Sequence, residues 1–301
     1  MKKIFYIILI LIAGLGIISP VFALTVSPVR VEINGDPGRT IYGEIELFNE
    51  QDTEKTFYSS FENFETNGEG GAPSFIGAKD GLATWLSTES KLILKPDERK
   101  KFPFSISIPP DVKAGGYFAA IFFGSQPPGK QESSQLSIGG KIGILVFLTV
   151  SGEVKEGGGL LEFATKDERK FFDSLPIDFY YRFNNTGGNR VVPQGEIKVN
   201  NLFGFNSFTA KANRKEGSVL PGSTRKFDVS WVMTDALSSS EIVEGETIGF
   251  WDKVAKEWGE FRFGWYTAKV NLFWGEQNKT ALSEFSFFVI PIFKVKSINN
   301  S

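Results

Sequence analysis

Three blocks of this sequence recur in the same order, and the recurrence constrains the fold more than any other feature. "LKPDERKKFPFSI" (94–106) aligns with "VLPGSTRKFDVSW" (219–231): a proline, a polar stretch, Lys-Phe, then alternation. "GGYFAAIFF" (115–123) aligns with "GWYTAKVNL" (264–272), and "IELFNE" (45–50) with "YRFNNT" (181–186). Each block is a short alternating or apolar run bounded by Gly, Pro, Asn or Asp, which is how a strand between turns reads. A repeated set of such runs, with scarcely a helical period between them, predicts two tandem β-sandwiches of immunoglobulin-like type. The 30 phenylalanines supply β-propensity and core volume.

The expected domains are residues 24–154 and 155–301, divided at the glycine run "VKEGGG". Residues 1–23 carry a different signal. Lys2 and Lys3 precede an apolar run over residues 4–18, and "PVFA" ends at a small residue where signal peptidase cuts. Two outcomes are open: cleavage after Ala23, or retention of residues 4–23 as an N-terminal membrane anchor. Both export the remainder, to the cell surface, the cell wall or the medium. The glycine-rich segment 67–81 reads as an irregular surface loop, and a short helix is expected at 252–257.

Composition narrows the chemistry. With no histidine and no cysteine, the chain lacks the residues of Ser-His-Asp and Cys-His catalysis and the commonest zinc ligands. A formal net charge of −2 offers no electrostatic footprint for nucleic acid. "SIGGKIG" is not a phosphate loop, because Gln135 and Ile142 stand where the pattern needs Gly and Ser or Thr. Glu241, Glu244 and Glu246, like Asp97 and Glu98, lack calcium-loop spacing and read as solvated loop charge. The expectation is a non-enzyme with no cofactor and no metal.

The repeat, laid on itself, yields the candidate site. In the second copy Tyr266, Ala268, Val270 and Leu272 share one strand face, and polar Thr267, Lys269 and Asn271 share the other. In the first copy the inner set is Tyr117, Ala119, Ile121 and Phe123, yet Phe118, Ala120 and Phe122 make the outer face apolar as well. The expected partner strand, 141–150, adds Leu145 and Phe147 to that outer face. A sheet apolar on both sides needs a second cover. Residues 63–86 or the second domain can supply it, or the face docks a partner through Phe118, Phe122, Leu145 and Phe147. Among the tryptophans, Trp231 and Trp274 read as core by alternation. Trp251 and Trp258, in an expected loop, are further partner-binding candidates whose alternative is simple packing.

"LTVSPVRVEINGDPGRTIYGEIELFNEQ" and "LILKPDERKKFPFSISIPPDVKAGGYFAAIFF" resemble the peptidoglycan-binding first domain of WxL-interacting bacterial surface proteins. That resemblance implies an exported, non-enzymatic scaffold of two immunoglobulin-like domains that binds cell-wall polymer or a surface protein. The family's closing transmembrane helix is not matched by "FFVIPIFKVKSINNS", whose apolar run is too short to span. A second resemblance is to periplasmic pilus chaperones. Arg30 in "SPVRVEI" and Lys141 in "SIGGKIG" lie near the family's arginine and lysine. The likeness implies that the pair grips a subunit's C-terminal carboxylate while the domain's last strand is lent to that subunit.

Overall fold

The computed structural model describes residues 24–128, 141–232 and 263–290. The export segment expected at 1–23, Trp251, Trp258, the Glu241–Glu244–Glu246 cluster and the helix expected at 252–257 lie outside the described residues. The protein is an all-β chain of two compact units. Unit 1 comprises Met1–Asn63, Ile76–Val112 and Tyr117–Leu148; unit 2 comprises Phe64–Phe75, Lys113–Gly116 and Thr149–Ser301.

In the first half of the chain the strands are β1 (Leu24–Ser27), β2 (Arg30–Gly35), β3 (Thr40–Asn49), β4 (Lys55–Asn67) and β5 (Ala72–Gly77). They are followed by β6 (Leu86–Thr88), β7 (Lys91–Leu94), β8 (Arg99–Ser107), β9 (Gly115–Gly124) and β10 (Ile142–Val150). One sheet runs β1-β3-β8-β6; the other runs β2-β10-β9-β4-β5, with β7 also on β4. The first strand is thus split between sheets. Pro28 has no N–H to continue the β1 ladder, and after it the chain crosses to pair as β2 beside β10. The inner faces close on Ile45, Leu47, Phe102, Ile106, Ile121, Ile144 and Leu148, all at most 1% exposed.

Unit 2 has a sheet of β11 (Gly159–Thr165), β13 (Ile177–Asn184) and β16 (Thr224–Trp231). Its second sheet runs in the order β12 (Phe171–Phe172), β18 (Lys279–Val289), β17 (Gly264–Trp274), β14 (Gln194–Asn201), β15 (Asn206–Lys211). Alternation decides the faces: in β17, Tyr266, Ala268, Val270, Leu272 and Trp274 are buried, and Lys269, Asn271 and Phe273 are exposed. The core is aromatic. Trp231 meets Tyr266 edge-on at 5.3 Å, Phe183 meets Trp274 at 4.9 Å, and Tyr181 stacks on Phe227 at 4.8 Å. Trp231 and Trp274, expected in the core, are 1% and 6% exposed.

The repeat has a structural counterpart in a matching buried asparagine in each unit, Asn49 and Asn185. Asn49 and Asn185 are both fully buried. The Asn49 amide donates to the carbonyls of Thr53, Leu94 and Lys95, and its oxygen accepts from the Gln51 N–H. The Asn185 amide donates to the carbonyls of Asn189 and Val219, and its oxygen accepts from the Gly187 N–H. In each unit one side chain ties its own turn to the distant proline turn that precedes β8 or β16. A buried amide persists only when its donors and acceptor are used in this way.

The segment 67–81 corrects an expectation. It is a hairpin arm: β4 extends to Asn67, a 3-10 turn spans Gly68–Gly70, and β5 returns as Ala72–Gly77. Its tip belongs to unit 2, where Arg182 donates from Nε and Nη2 to both oxygens of Glu69 at 2.5–3.1 Å. Arg182 also meets Glu162, which accepts from the Tyr180 hydroxyl at 2.6 Å. That hydrogen bond, with burial and the carboxylate's charge, pushes the Tyr180 hydroxyl up to about 12. The glycines make the close approach possible: Gly71, at φ +73°, lies so near the Arg225 guanidinium that a Cβ would stand 2.4 Å from its Cζ. Composition suggested an irregular loop here because glycine signals a turn without saying what the turn rests on.

Candidate partner-binding face

Strands β9 and β4 pair antiparallel with Phe122 opposite Ser60, Ile121 opposite Phe61 and Ala120 opposite Glu62. Ile121 and Phe123 point into the core, at most 1% exposed, so Phe122, Ala120 and Phe118 share the outer face. Two contacts place β10 on the same surface. The Phe118 and Phe147 rings meet edge to face at 5.6 Å, and Phe122 covers Gly143, where a Cβ would lie 2.6 Å from the ring. Phe147 and Gly143 are therefore outer residues, and Leu145 stands between them. The four residues expected to form a docking surface lie together on one face of unit 1.

The face is not bare. Ala120 at its centre is fully buried and Phe147 is 7% exposed, whereas Phe118, Phe122 and Leu145 are half-buried. The accessible part is a strip of ring edges and one leucine.

Arg30 and Lys141 come to this same face. The Arg30 guanidinium lies 4.3 Å from the centroid of the Phe147 ring and pairs with Glu32 at 2.5 Å. Lys141 Nζ lies 5.9 Å from the centroid of Phe122 and 3.5 Å from Glu62. Both distances fall within the range in which a cation is held by a ring's negative face. The two cations mark opposite ends of the strip, because Phe118 and Phe122 are four residues apart along β9, about 13 Å at ~3.3 Å per residue. Each has its own internal carboxylate, Glu32 for Arg30 and Glu62 for Lys141. Nor is β10 a free strand: it lies between β2 and β9, so lending it requires β2 to leave.

Three residues of this site escape a reading of the sequence alone. Glu32 and Glu62 are the counterions of the two cations, and their pairing depends on strand register. Gly143 makes room for Phe122, and it alone had a signal, since an isolated glycine in a strand often marks a close approach. Among the described residues no group of three His, Cys, Asp or Glu is placed to hold a metal ion. No described helix is long and apolar enough to cross a membrane.

No family model and no curated protein matches the chain. Among solved structures it is similar to the class 5 fimbriae chaperone CfaA, with 10% identity over 90% of this chain and all of that one, at a TM-score of 0.41. It is similar to the Escherichia coli chaperone DraB, with 10% identity, 88% and 97% coverage, and a TM-score of 0.38. It is similar to the Pseudomonas aeruginosa CupB2 chaperone, with 9% identity, 87% and 100% coverage, and a TM-score of 0.36.

Proposed function

We propose that the protein is an exported, non-enzymatic binding protein whose first unit captures an apolar segment of a partner protein on the outer face of β9 and β10. The observation that carries this reading is the convergence of Phe118, Phe122, Leu145 and Phe147 on one face, with a cation at each end. Such a strip suits an extended chain, whose alternate side chains meet the leucine and the ring edges. Arg30 and Lys141 can each exchange an internal carboxylate for one of the partner's, so acidic residues near the two ends of the bound segment are favoured.

A cell-wall polymer fits the face less well. Sugar rings stack on open aromatic faces, whereas here Arg30 covers Phe147 and Lys141 approaches Phe122. Phenylalanine also lacks the polar handle that tyrosine or tryptophan offers a glycan.

The test is panning of a random-peptide library against the wild-type protein and against the L145S and F122S variants, with folding checked by thermal unfolding. Enrichment of apolar peptides bearing acidic residues, lost in both folded variants, supports capture. No enrichment, or enrichment unchanged by the substitutions, overturns it. Sedimentation with isolated peptidoglycan that survives both substitutions returns the cell-wall reading.

A further inference from the structure

The connection between β14 and β15 carries three large apolar side chains into solvent: Leu202, Phe203 and Phe205 are 73%, 80% and 70% exposed. Exposing so much apolar surface on a four-residue turn is costly unless something covers it. The turn is nevertheless rigid. The Asn201 side-chain oxygen accepts from the N–H groups of Phe203 and Phe205 at 3.1 and 3.0 Å. The Asn201 N–H donates to the Phe205 carbonyl, and the Gly204 N–H to that of Asn201. Gly204 adopts φ +80°, which closes the turn without a Cβ.

We propose that this tip inserts into the headgroup–acyl boundary of a lipid bilayer. Three observations favour a bilayer over a protein pocket. First, four of the turn's N–H groups, at Asn201, Phe203, Gly204 and Phe205, are bonded within the turn, which lowers the cost of moving it into a water-poor medium. Second, from Val199 to Ala210 the hairpin has no ionisable side chain, so insertion by about 5–10 Å desolvates no charge. The first charges behind the tip are Lys198 and Lys211; Lys198 pairs with Glu196, which also stands opposite Lys211. Third, the apolar surface continues along this end of the sheet. Asn201 pairs with Tyr266 and Gly264 with Val289, which puts Phe263 and Ile290, 59% and 46% exposed, at the same end.

The chain has no cysteine, so F203C can carry a single environment-sensitive dye, and Q277C, in the turn at the opposite end of β17, serves as its control. The full chain is mixed with vesicles of phosphatidylethanolamine and phosphatidylglycerol. Dye position is the readout because the apolar N-terminal run can bring any variant to a vesicle. A blue shift and quenching by lipid-borne nitroxide at position 203, absent at 277, supports insertion. Substituting Ser at Leu202 and Phe205 in the labelled chain is expected to abolish both signals while leaving the thermal midpoint unchanged. Dye at 203 that stays as exposed as at 277, or that responds to an added protein and not to vesicles, overturns the proposal.

Discussion

The Glu69 carboxylate sits in the fork of the Arg182 guanidinium, 113 positions later in the chain. The hydrogen bond from Arg182 and its charge hold the Glu69 carboxyl below its ordinary value of 4.5, against a smaller opposing effect of desolvation. A carboxyl with a depressed folded pKa stabilises the fold above its unfolded value and loses that contribution as pH falls through the folded value. Hydrogen-exchange protection of Gly68–Gly71 is therefore expected to fall as the pH drops below about 4.5. In Glu69→Gln it should be lower at neutral pH and insensitive to acid over that range. Equal, acid-sensitive protection in both proteins would show that the pair does not hold the arm.

The buried asparagines are expected to be the most sensitive polar positions. Asn49→Ala or Asn185→Ala strands interior carbonyls, each costing about 1–3 kcal/mol. Denaturant unfolding should show a lowered midpoint for either variant. Asn49→Asp should also destabilise, because a carboxylate cannot donate to Thr53, Leu94 and Lys95.

At Gly143 any side chain meets the Phe122 ring. Gly143→Val should displace that ring and cost about 1–3 kcal/mol by overpacking. Gly143→Val with Phe122→Ala should recover part of the loss, and a double-mutant cycle in urea measures the coupling.

Trp231→Ala, in the centre of the second core, should cost about 3–5 kcal/mol. Leu282→Ala, at 56% exposure on β18, should stay within about 0.5 kcal/mol of wild type. Calorimetric melting separates the two outcomes.

Because Arg30 and Lys141 stand at opposite ends of the strip, Arg30→Ala and Lys141→Ala should weaken partner capture independently. Each exposed ion pair is worth about 0.2–1 kcal/mol, and distant sites add to within about 0.3–0.5 kcal/mol. Titration of a captured peptide against the single and double variants checks this. A double variant no weaker than either single one would show that both cations grip one group.

Strand identity was legible from local pattern. From Phe227 in "TRKFDVSW" and from Tyr266 in "GWYTAKVNLFW" every second residue is apolar, and those residues belong to the second core. The apolar outer face of "YFAAIFF" was legible by contrast with its sister strand. Whether that face was covered was not, because the burial of Ala120 depends on what packs there and not on its own strand.

The sequence by itself determined the all-β class, the repeated order of the matching blocks and which face of the strands at 117–123 and 266–272 turns inward, since a period of two needs no knowledge of the partner strand. Only the tertiary structure decided that residues 67–77 form an arm pinned by Arg182. It also decided that Arg30 and Lys141 cover different rings, and that one asparagine per unit ties two turns together. Those relationships join residues dozens of positions apart, and they exist only once strand register has set which side chains come within reach.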